Sequence, residues 1–496
     1  MILAHDDAEK TPRPCALLWL SIAFALAVFS NGRWIVPLAT WLAPVFFLRY
    51  TRSQRPLPGL VLGGLATGAS FLISWLGMTP LDGNTLYWPV FFWLGVAFWL
   101  PYCADRLLSP RVRGFASTLV FPLAFTSFEL IYTLVNPFLS NGSLAYTQYP
   151  YLALIQIVSL TGLSGVTFLV TWGASLLHWA WDHRFAWREI RLGVAAYAAV
   201  LAAVLAYGGA RLATAPPLEQ TVRAAAIAAT THTAQLRIAA HDDPAAASAH
   251  RQAVLDDYLE RTQQQAAEGA MIVVWDELAV PTNLDEEPAY IQQGQELARE
   301  EGIYLMMALG VDLSPSATSS RIPRENKAVL IGPDGEIIWD YIKSFSTPGG
   351  RSVSGEGTLP IADTPLGRLT ASICFDIDHP GLIRQAGRAE VALMLNPAWN
   401  GDEDASLQLH MAAFRAIENG FTLLRPTGGG YSAVADTRGR LLVAAATSAA
   451  DGVLTADVPI QHQPTLYSRI GDVFGWICVA AFVSLALRGI VRPTGT

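Results

Sequence analysis

The 496-residue sequence contains little charge and no excess of basic residues. Only 15% of its residues are charged, against about 25% in an average soluble protein, which argues against a purely soluble enzyme and against a disordered chain. The 33 lysines and arginines are outnumbered by 41 aspartates and glutamates, so the formal net charge is −8. This balance lacks the electrostatic footprint of a nucleic-acid-binding protein.

Cysteine is also scarce, and the four cysteines present do not suggest a disulfide framework. Cys15, Cys103 and Cys478 lie in apolar runs, and only Cys374 lies in a polar region. Disulfide-stabilised domains instead carry an even set of closely spaced cysteines in a short chain. The pattern leaves Cys374 as the one thiol that is a candidate for chemistry.

What the sequence does have is a series of long apolar runs. Most approach the roughly 20 residues that a helix needs to cross a bilayer. The pattern predicts a membrane domain of about seven helices over 1–211, a globular domain over 212–466, and a last helix with a short tail over 467–496. The runs lie at 15–31, 35–48, 58–77, 87–104, 114–136, 151–181, 192–211 and 468–487.

The loop charges predict the orientation of these helices. Loops 78–86 and 137–150 carry no lysine or arginine, and Arg33 is the one exception to strict alternation. Positively charged loops stay in the cytoplasm, so we expect both termini there and the globular domain on the opposite side. The arginines that define the cytoplasmic side are Arg49, Arg52, Arg55, Arg106, Arg111, Arg113, Arg184, Arg188, Arg191, Arg488 and Arg492.

One carboxylate, Glu129, lies inside the fifth apolar run. A carboxylate in a membrane is costly and marks either a hydrogen-bonded partner or a functional cavity. We favour a structural hydrogen bond between helices.

The region 212–466 alternates strand-like and helix-like patterns, which predicts an α/β layered fold. The Pro333-Asp334-Gly335 turn predicts a hairpin between its two flanking strands. The predicted strands are 222–228, 271–275, 303–311, 328–331, 336–342, 369–375, 391–396 and 421–425, and the predicted helices are 245–268, 289–299 and 405–419.

Three short stretches in this region carry chemistry. Glu277 follows an apolar strand, Lys343 follows the hairpin, and Cys374 lies at the end of another apolar strand. A thiolate is the nucleophile, a carboxylate accepts its proton, and an ammonium offsets the negative charge of a tetrahedral intermediate. Taken singly, a strand cysteine is more often an inert core residue and a strand-end glutamate a solvated one. Together the three predict acyl transfer.

The three stretches resemble the nitrilase (carbon–nitrogen hydrolase) superfamily, in which they occur in the same order. The resemblance implies a four-layer α-β-β-α sandwich with Glu277 as general base and acid, Lys343 as oxyanion stabiliser and Cys374 as nucleophile. It further implies that the backbone N–H of Phe375 joins the oxyanion hole. Neither a metal nor a nucleotide cofactor is implied, because the sequence has no ligand cluster and no phosphate-binding glycine loop.

The arrangement of membrane runs around such a domain resembles the apolipoprotein N-acyltransferase family. Residues 275–281 and 396–399 are close to motifs of that family. The resemblance implies a multi-pass protein of the bacterial inner membrane that moves an acyl group from a phospholipid to the diacylglyceryl-cysteine amine of a lipoprotein. It also suggests supporting roles for Asp376, Trp399 and Glu356.

Several positions depart from the family's usual pattern. They are Gly349 and Arg351 after the lysine, and Phe375, Asp376, Asp378 and His379 after the cysteine. The departures leave three alternatives open. These are a membrane-tethered amidase or nitrilase, an N-acyltransferase for a different amine, and a non-catalytic lipid-binding scaffold, which the retained triad disfavours.

Overall fold

The computed structural model describes residues 13–79, 81–214, 220–229, 244–313, 323–350, 352–401, 405–447 and 451–491. They divide into two compact units. The first comprises Met1–Leu212 and Asp472–Thr496, and the second comprises Ala213–Gly471.

The first unit is helical. In the described residues, four helical stretches are long and apolar enough to cross a membrane: Pro56–Trp75, Tyr87–Arg111, Gly114–Val135 and Trp187–Ala213. The helices are α1 (Arg13–Val28), α2 (Pro37–Ser53), α3 (Pro56–Trp75), α4 (Tyr87–Ala97), α5 (Leu100–Leu108), α6 (Val120–Val135), α7 (Leu152–Ile155), α8 (Val158–Thr161), α9 (Leu163–Asp182) and α10 (Trp187–Ala213).

The apolar run 151–181 is not one continuous helix. It is interrupted at Gly162, whose φ of 63° lies in the left-handed region that glycine adopts without a steric penalty. The long helix of this run therefore begins at Leu163, and only the two short helices α7 and α8 precede it.

Glu129 joins two helices to a loop within the first unit. Its carboxylate accepts hydrogen bonds from Thr167 Oγ1 of α9 at 2.6 Å, from Ser143 Oγ at 3.0 Å and from the Leu144 backbone N–H at 2.8 Å. Hydrogen bonding of this kind offsets the cost of burying the carboxylate. The contacts are those of a structural clamp.

The second unit contains most of the β-structure. Its strands are β1 (Thr221–Ile227), β2 (Ile272–Trp275), β3 (Val280–Asn283), β4 (Tyr304–Asp312), β5 (Arg324–Ile331), β6 (Ile337–Ile342), β7 (Ile361–Thr364), β8 (Gly367–Ala371), β9 (Leu393–Leu395), β10 (Ala398–Trp399), β11 (Thr422–Arg425), β12 (Thr427–Gly428), β13 (Tyr431–Ala435), β14 (Leu441–Ala446) and β15 (Val453–Pro459). The remaining helices are α11 (Pro244–Ala267), α12 (Glu287–Glu301), α13 (Pro380–Arg388), α14 (Ala405–Asn419) and α15 (Leu466–Ile470), with α16 (Val473–Val491) in the first unit.

The strands form two large sheets that pack face to face. The first has the order β15-β1-β2-β4-β5-β6, with β3 paired to β4, and the second has the order β14-β13-β11-β9-β8-β7. One apolar core includes Val274 and Leu330 of the first sheet together with Leu393 and Val434 of the second. A second core packs α11 and α12 on the outer face of the first sheet.

Two predicted strand regions show how local sequence shapes this unit. The hairpin of β5 and β6 forms as predicted, because Gly335 adopts a φ of 78° in the turn. The predicted strand 369–375 is shorter in the structure, since β8 ends at Ala371 and a 3₁₀ helix occupies Cys374–Asp378. The cysteine therefore lies in a tight turn beyond the strand.

Candidate active site

Three loops at one edge of the two sheets bring the predicted triad together. Glu277 follows β2, Lys343 follows β6, and Cys374 lies beyond β8. Lys343 Nζ donates to Glu277 Oε1 at 2.7 Å, and the two residues are only 3% and 5% exposed. In α/β folds, the carboxyl ends of parallel strands form the edge where ligands bind.

The position of Glu277 depends on how β2 ends. The preceding Trp275 is fully buried, and its indole N–H donates to Thr262 Oγ1 of α11 at 2.9 Å. Leu278 adopts a φ of 55°, which turns the chain sharply after the carboxylate. A left-handed backbone at a non-glycine residue carries strain and is often associated with functional sites. The surrounding packing therefore determines where Glu277 points.

Cys374 is held in a strained conformation as well. Its φ is 46°, its backbone N–H donates to Pro397 O at 2.8 Å, and its thiol lies 3.7 Å from Trp399 O. The next residue, Phe375, lies in the first turn of the 3₁₀ helix that begins at Cys374. As a donor in the first turn of a helix, its backbone N–H is suited to bind an oxyanion.

The charges of the three side chains follow from their contacts. Burial raises the pKa of Glu277, but Lys343 and hydrogen bonds from Lys343, Cys374 and Asn326 outweigh it, so the pKa is lowered overall. Burial and Glu277 together raise the pKa of the Cys374 thiol to about 12. Although burial opposes it, Glu277 raises the pKa of Lys343. The resting site is therefore a carboxylate, an ammonium and a thiol.

Asp376 links the loop of Lys343 to the loop of Cys374. Its carboxylate accepts from the Tyr341 hydroxyl at 2.8 Å and from the backbone N–H groups of Phe345, Ser344 and Ile373 at 2.8, 3.3 and 3.1 Å. Burial raises its pKa to about 6, although these hydrogen bonds oppose the shift. Asp376 has no exposed surface, so its contacts are those of a loop clamp and not of a substrate ligand.

The other predicted support residues differ in their distance from the triad. Trp399 is 49% exposed, and its carbonyl oxygen faces the Cys374 thiol. Glu356 is exposed and makes no hydrogen bond or ion pair to the triad within the described residues, so the structure assigns it no supporting contact. Gly349 lies on the exposed part of the same loop, and Arg351 lies outside the described residues.

His379 follows the Cys374 turn and packs between two aromatic rings. Its ring stacks on Phe345 with centroids 3.6 Å apart and meets the edge of Phe375 at 5.0 Å. Burial and the charge of Arg415 lower the pKa of His379 to about 4. The imidazole is neutral at physiological pH and acts as packing.

The sequence patterns did not single out two residues that contact the triad or its clamp. Asn326 Nδ2 donates to Glu277 Oε1 at 2.8 Å, and the Tyr341 hydroxyl donates to Asp376. The only signal was a polar residue at a buried strand position and a tyrosine two residues before the lysine. No group of three or more residues suited to hold a metal ion occurs in the described ranges.

Comparison with known proteins identifies the class that this fold and site define. Residues 207–463, more than half of the chain, match the carbon–nitrogen hydrolase family. The chain belongs to that family. An amidase from Nesterenkonia sp. is a solved structure similar to this chain. It is 23% identical, covers 48% of this chain and 91% of its own, and has a TM-score of 0.39.

The N-terminal part of the chain matches a more specific family model. Residues 16–176 match the apolipoprotein N-acyltransferase N-terminal domain. A Geobacter metallireducens protein named apolipoprotein N-acyltransferase is 28% identical over 99% of this chain and 98% of its own length. A protein of the same name from Bradyrhizobium diazoefficiens is 29% identical over 70% of this chain and 68% of its own. The predicted resemblance to this family and the predicted fold class are both confirmed.

Proposed function

We propose that this enzyme transfers a fatty acyl group from a membrane phospholipid, through a thioester on Cys374, to the N-terminal amine of a diacylglyceryl-modified lipoprotein. The observation that carries the proposal is the buried contact of Lys343 with Glu277 beside the Cys374 thiol. Full-length similarity to proteins named apolipoprotein N-acyltransferase supports this choice of donor and acceptor.

In the first step the thiol attacks the ester carbonyl of the phospholipid. Glu277 takes the thiol proton as the carbon–sulfur bond forms, because a thiol with a raised pKa is a weak nucleophile until it is deprotonated. Lys343 and the Phe375 N–H stabilise the oxyanion. When the intermediate collapses, the carbon–oxygen bond breaks, and the lysophospholipid leaves with the proton from Glu277.

In the second step the amine of the lipoprotein attacks the thioester. Glu277 now accepts a proton from the attacking nitrogen, and Lys343 again faces the oxyanion. The carbon–sulfur bond then breaks, the amide is released, and the proton on Glu277 returns to Cys374. The net reaction exchanges an ester for an amide and needs no metal or cofactor.

We further propose that the protein lies in the bacterial inner membrane with both termini in the cytoplasm. The alternation of arginine-rich and arginine-free loops supports this topology, with 212–466 on the extracytoplasmic side. This proposal includes the predicted division into about seven membrane helices over 1–211 and one over 467–496. Among the described residues, four helical stretches are long and apolar enough to cross a membrane. Both substrates are lipid-anchored, which accounts for an enzyme that is itself held in the bilayer.

Mass spectrometry of the intact, detergent-solubilised protein tests the proposal. Incubation with a phosphatidylethanolamine of defined acyl chains should add one acyl group, and peptide mapping should locate it on Cys374. Cys374→Ser should lose the adduct and all turnover. Cys103→Ser, which removes a thiol from the first unit, should retain both.

Addition of an acceptor then separates the alternatives. A diacylglyceryl-cysteine peptide should discharge the thioester and gain the acyl group as an amide. Discharge at the same rate in water alone would identify a membrane-tethered hydrolase. The absence of an adduct on Cys374 with any phospholipid, or full activity of Cys374→Ser, would overturn the proposed function.

A further inference from the structure

A row of hydrogen-bonded polar side chains lies at the ends of three neighbouring parallel strands. Asn396, which follows β9, donates through Nδ2 to Ser372 O at 2.8 Å and to Ser372 Oγ at 2.9 Å. Arg425, the last residue of β11, donates through Nη1 to Asn396 Oδ1. Since Ser372 lies two residues before Cys374, the row connects the guanidinium of Arg425 to the strand end that leads to the cysteine.

Arg425 is itself buried in this row. It is 1% exposed, Asn396 is fully buried, and a second bond runs from Arg425 Nη2 to Asn400 Oδ1 at 3.2 Å. In the part of the chain that the structure describes, the amide oxygens of Asn396 and Asn400 are the hydrogen-bond acceptors of the guanidinium, and Nε has no partner. A buried cation held only by amide oxygens is costly unless its charge serves another group.

The positive charge of Arg425 acts on the Cys374 thiol. The charged groups that act on it are Glu277, Lys343 and Arg425. Burial and the Glu277 carboxylate disfavour the thiolate, whereas Lys343 and Arg425 favour it. Lys343 is tied to Glu277 by a direct ion pair, so Arg425 supplies a second positive charge from the side of β11.

We propose that Arg425 is a positioning residue for the nucleophile, holding the strand end before Cys374 through Asn396 and favouring the thiolate with its buried charge. This inference rests on the proposed role of Cys374. It accounts for an arginine in place of a lysine, because a planar guanidinium bonds two amide oxygens in different directions while keeping its charge. The charge assists both steps, since sulfur attacks as a thiolate and leaves as one.

The rate of alkylation of Cys374 by iodoacetamide, followed against pH on the full chain in detergent, tests this inference. Peptide mass spectrometry reads the modification at Cys374 separately from the other three cysteines. Arg425→Met should displace the rate–pH curve by about one pH unit toward alkaline pH. At pH 8 this shift corresponds to about a tenfold slower reaction.

Two further variants separate charge from structure. Arg425→Lys should restore the wild-type curve but should still slow acyl-enzyme formation, because an ammonium does not span Asn396 and Asn400. Arg438→Met removes another buried arginine of the same unit, 2% exposed in the turn after β13, and should leave the curve unchanged. If Arg425→Met does not fold, Arg425→Gln carries the same test, since it removes the charge and retains a donor.

The outcomes distinguish this inference from the proposed function. An unshifted curve in the uncharged variants, with a wild-type protein that forms the acyl-enzyme, would overturn the role of Arg425 alone. An equal shift in Arg438→Met would also overturn it, because the effect would then be general. If the wild type forms no acyl-enzyme, the proposed function fails, while the alkylation curves still report whether Arg425 controls the thiol.

Discussion

Among its described residues, the second unit contains two buried lysine–glutamate pairs, one at Lys327 of β5 and one at Lys343 directly after β6, and the pairs differ in what surrounds them. Lys343 Nζ lies 2.7 Å from Glu277, with the Cys374 thiol beside the pair. Lys327 Nζ lies 2.6 Å from Glu287 and 2.7 Å from Asp340. Both lysines are less than 10% exposed. The same two residue types therefore form one pair beside a thiol and one without a thiol.

The two pairs differ in the number of carboxylates that surround the lysine. Lys327 has a third carboxylate, Glu325, at 3.7 Å, and the Asp340 side chain is 43% exposed. Its positive charge is more than matched by acids that reach solvent, as in a structural ion network. Lys343 has a single carboxylate within ion-pair distance among the described residues, which leaves positive potential for a developing oxyanion.

Replacing each lysine by methionine is the strongest test of this comparison. Lys343→Met should reduce acyl-enzyme formation by about 1,000-fold, because a buried oxyanion donor is removed. Lys327→Met should keep the rate within about threefold and should instead cost about 3 kcal/mol of unfolding free energy, because it leaves the largely buried Glu287 unpaired. Single-turnover acylation and urea unfolding of both variants measure the two effects. A similar loss of rate in both would erase the distinction.

The candidate site also contains a titrating clamp, Asp376, which lies in the Cys374 turn and accepts hydrogen bonds from the Lys343 loop. The folded-state pKa of Asp376 is about 6, above its ordinary 3.8. The folded protein therefore binds this proton more tightly, and the stability it contributes is present below about pH 4 and is lost as the pH rises to about 6. Relative to Asp376→Asn, the wild type should lose about 3 kcal/mol over this interval.

Urea unfolding at several pH values between 4 and 7 checks this slope. Asp363→Asn, which changes an exposed carboxylate of the same unit, serves as the control and should run parallel to the wild type. A wild-type stability that rises relative to Asp376→Asn over the same interval would show that the clamp is ionised in the folded state throughout.

The smallest effect should come from Asn326, the neighbour of Lys327 in β5. Successive strand residues point to opposite faces, so Asn326 reaches Glu277 while Lys327 reaches Glu287. Asn326→Ala should slow acylation about tenfold, since it removes one hydrogen bond to a buried carboxylate. Glu325→Ala, which changes the residue on the other side of Asn326 in β5, should have almost no effect. Equal rates for these two variants in single-turnover assays would remove Asn326 from the site.

The sequence predicted the parts of the site that lie in short motifs. Glu277, Lys343 and Cys374 each follow an apolar strand, and strand ends in an α/β fold converge on one edge. Asn326 was not predicted, because its contact with Glu277 spans 49 residues and depends on the register of β5. Asp376 was predicted as a support residue, but its clamp depends on how two separate loops meet.

For the fold as well, strong local sequence patterns were predicted and weak ones were missed. The strands with apolar sequences were predicted from that pattern, and the structure buries all of β11 and all of β4 except Asp312. Strands β13 to β15 were not predicted, since segments such as Leu441–Ala446 are only partly buried and rich in alanine. The predicted strand through Cys374 was too long because the apolar pattern continues past Ala371, where the backbone turns.

The positive φ of Cys374 also affects the balance between thermal stability and catalytic activity. A side chain in this backbone region costs on the order of 1 kcal/mol compared with glycine, and the protein bears that cost at the proposed nucleophile. An inactive Cys374→Gly enzyme should consequently resist heat better than the active one. Selection for thermal robustness alone would favour glycine at this position, and the proposed thioester chemistry supplies the reason for a cysteine.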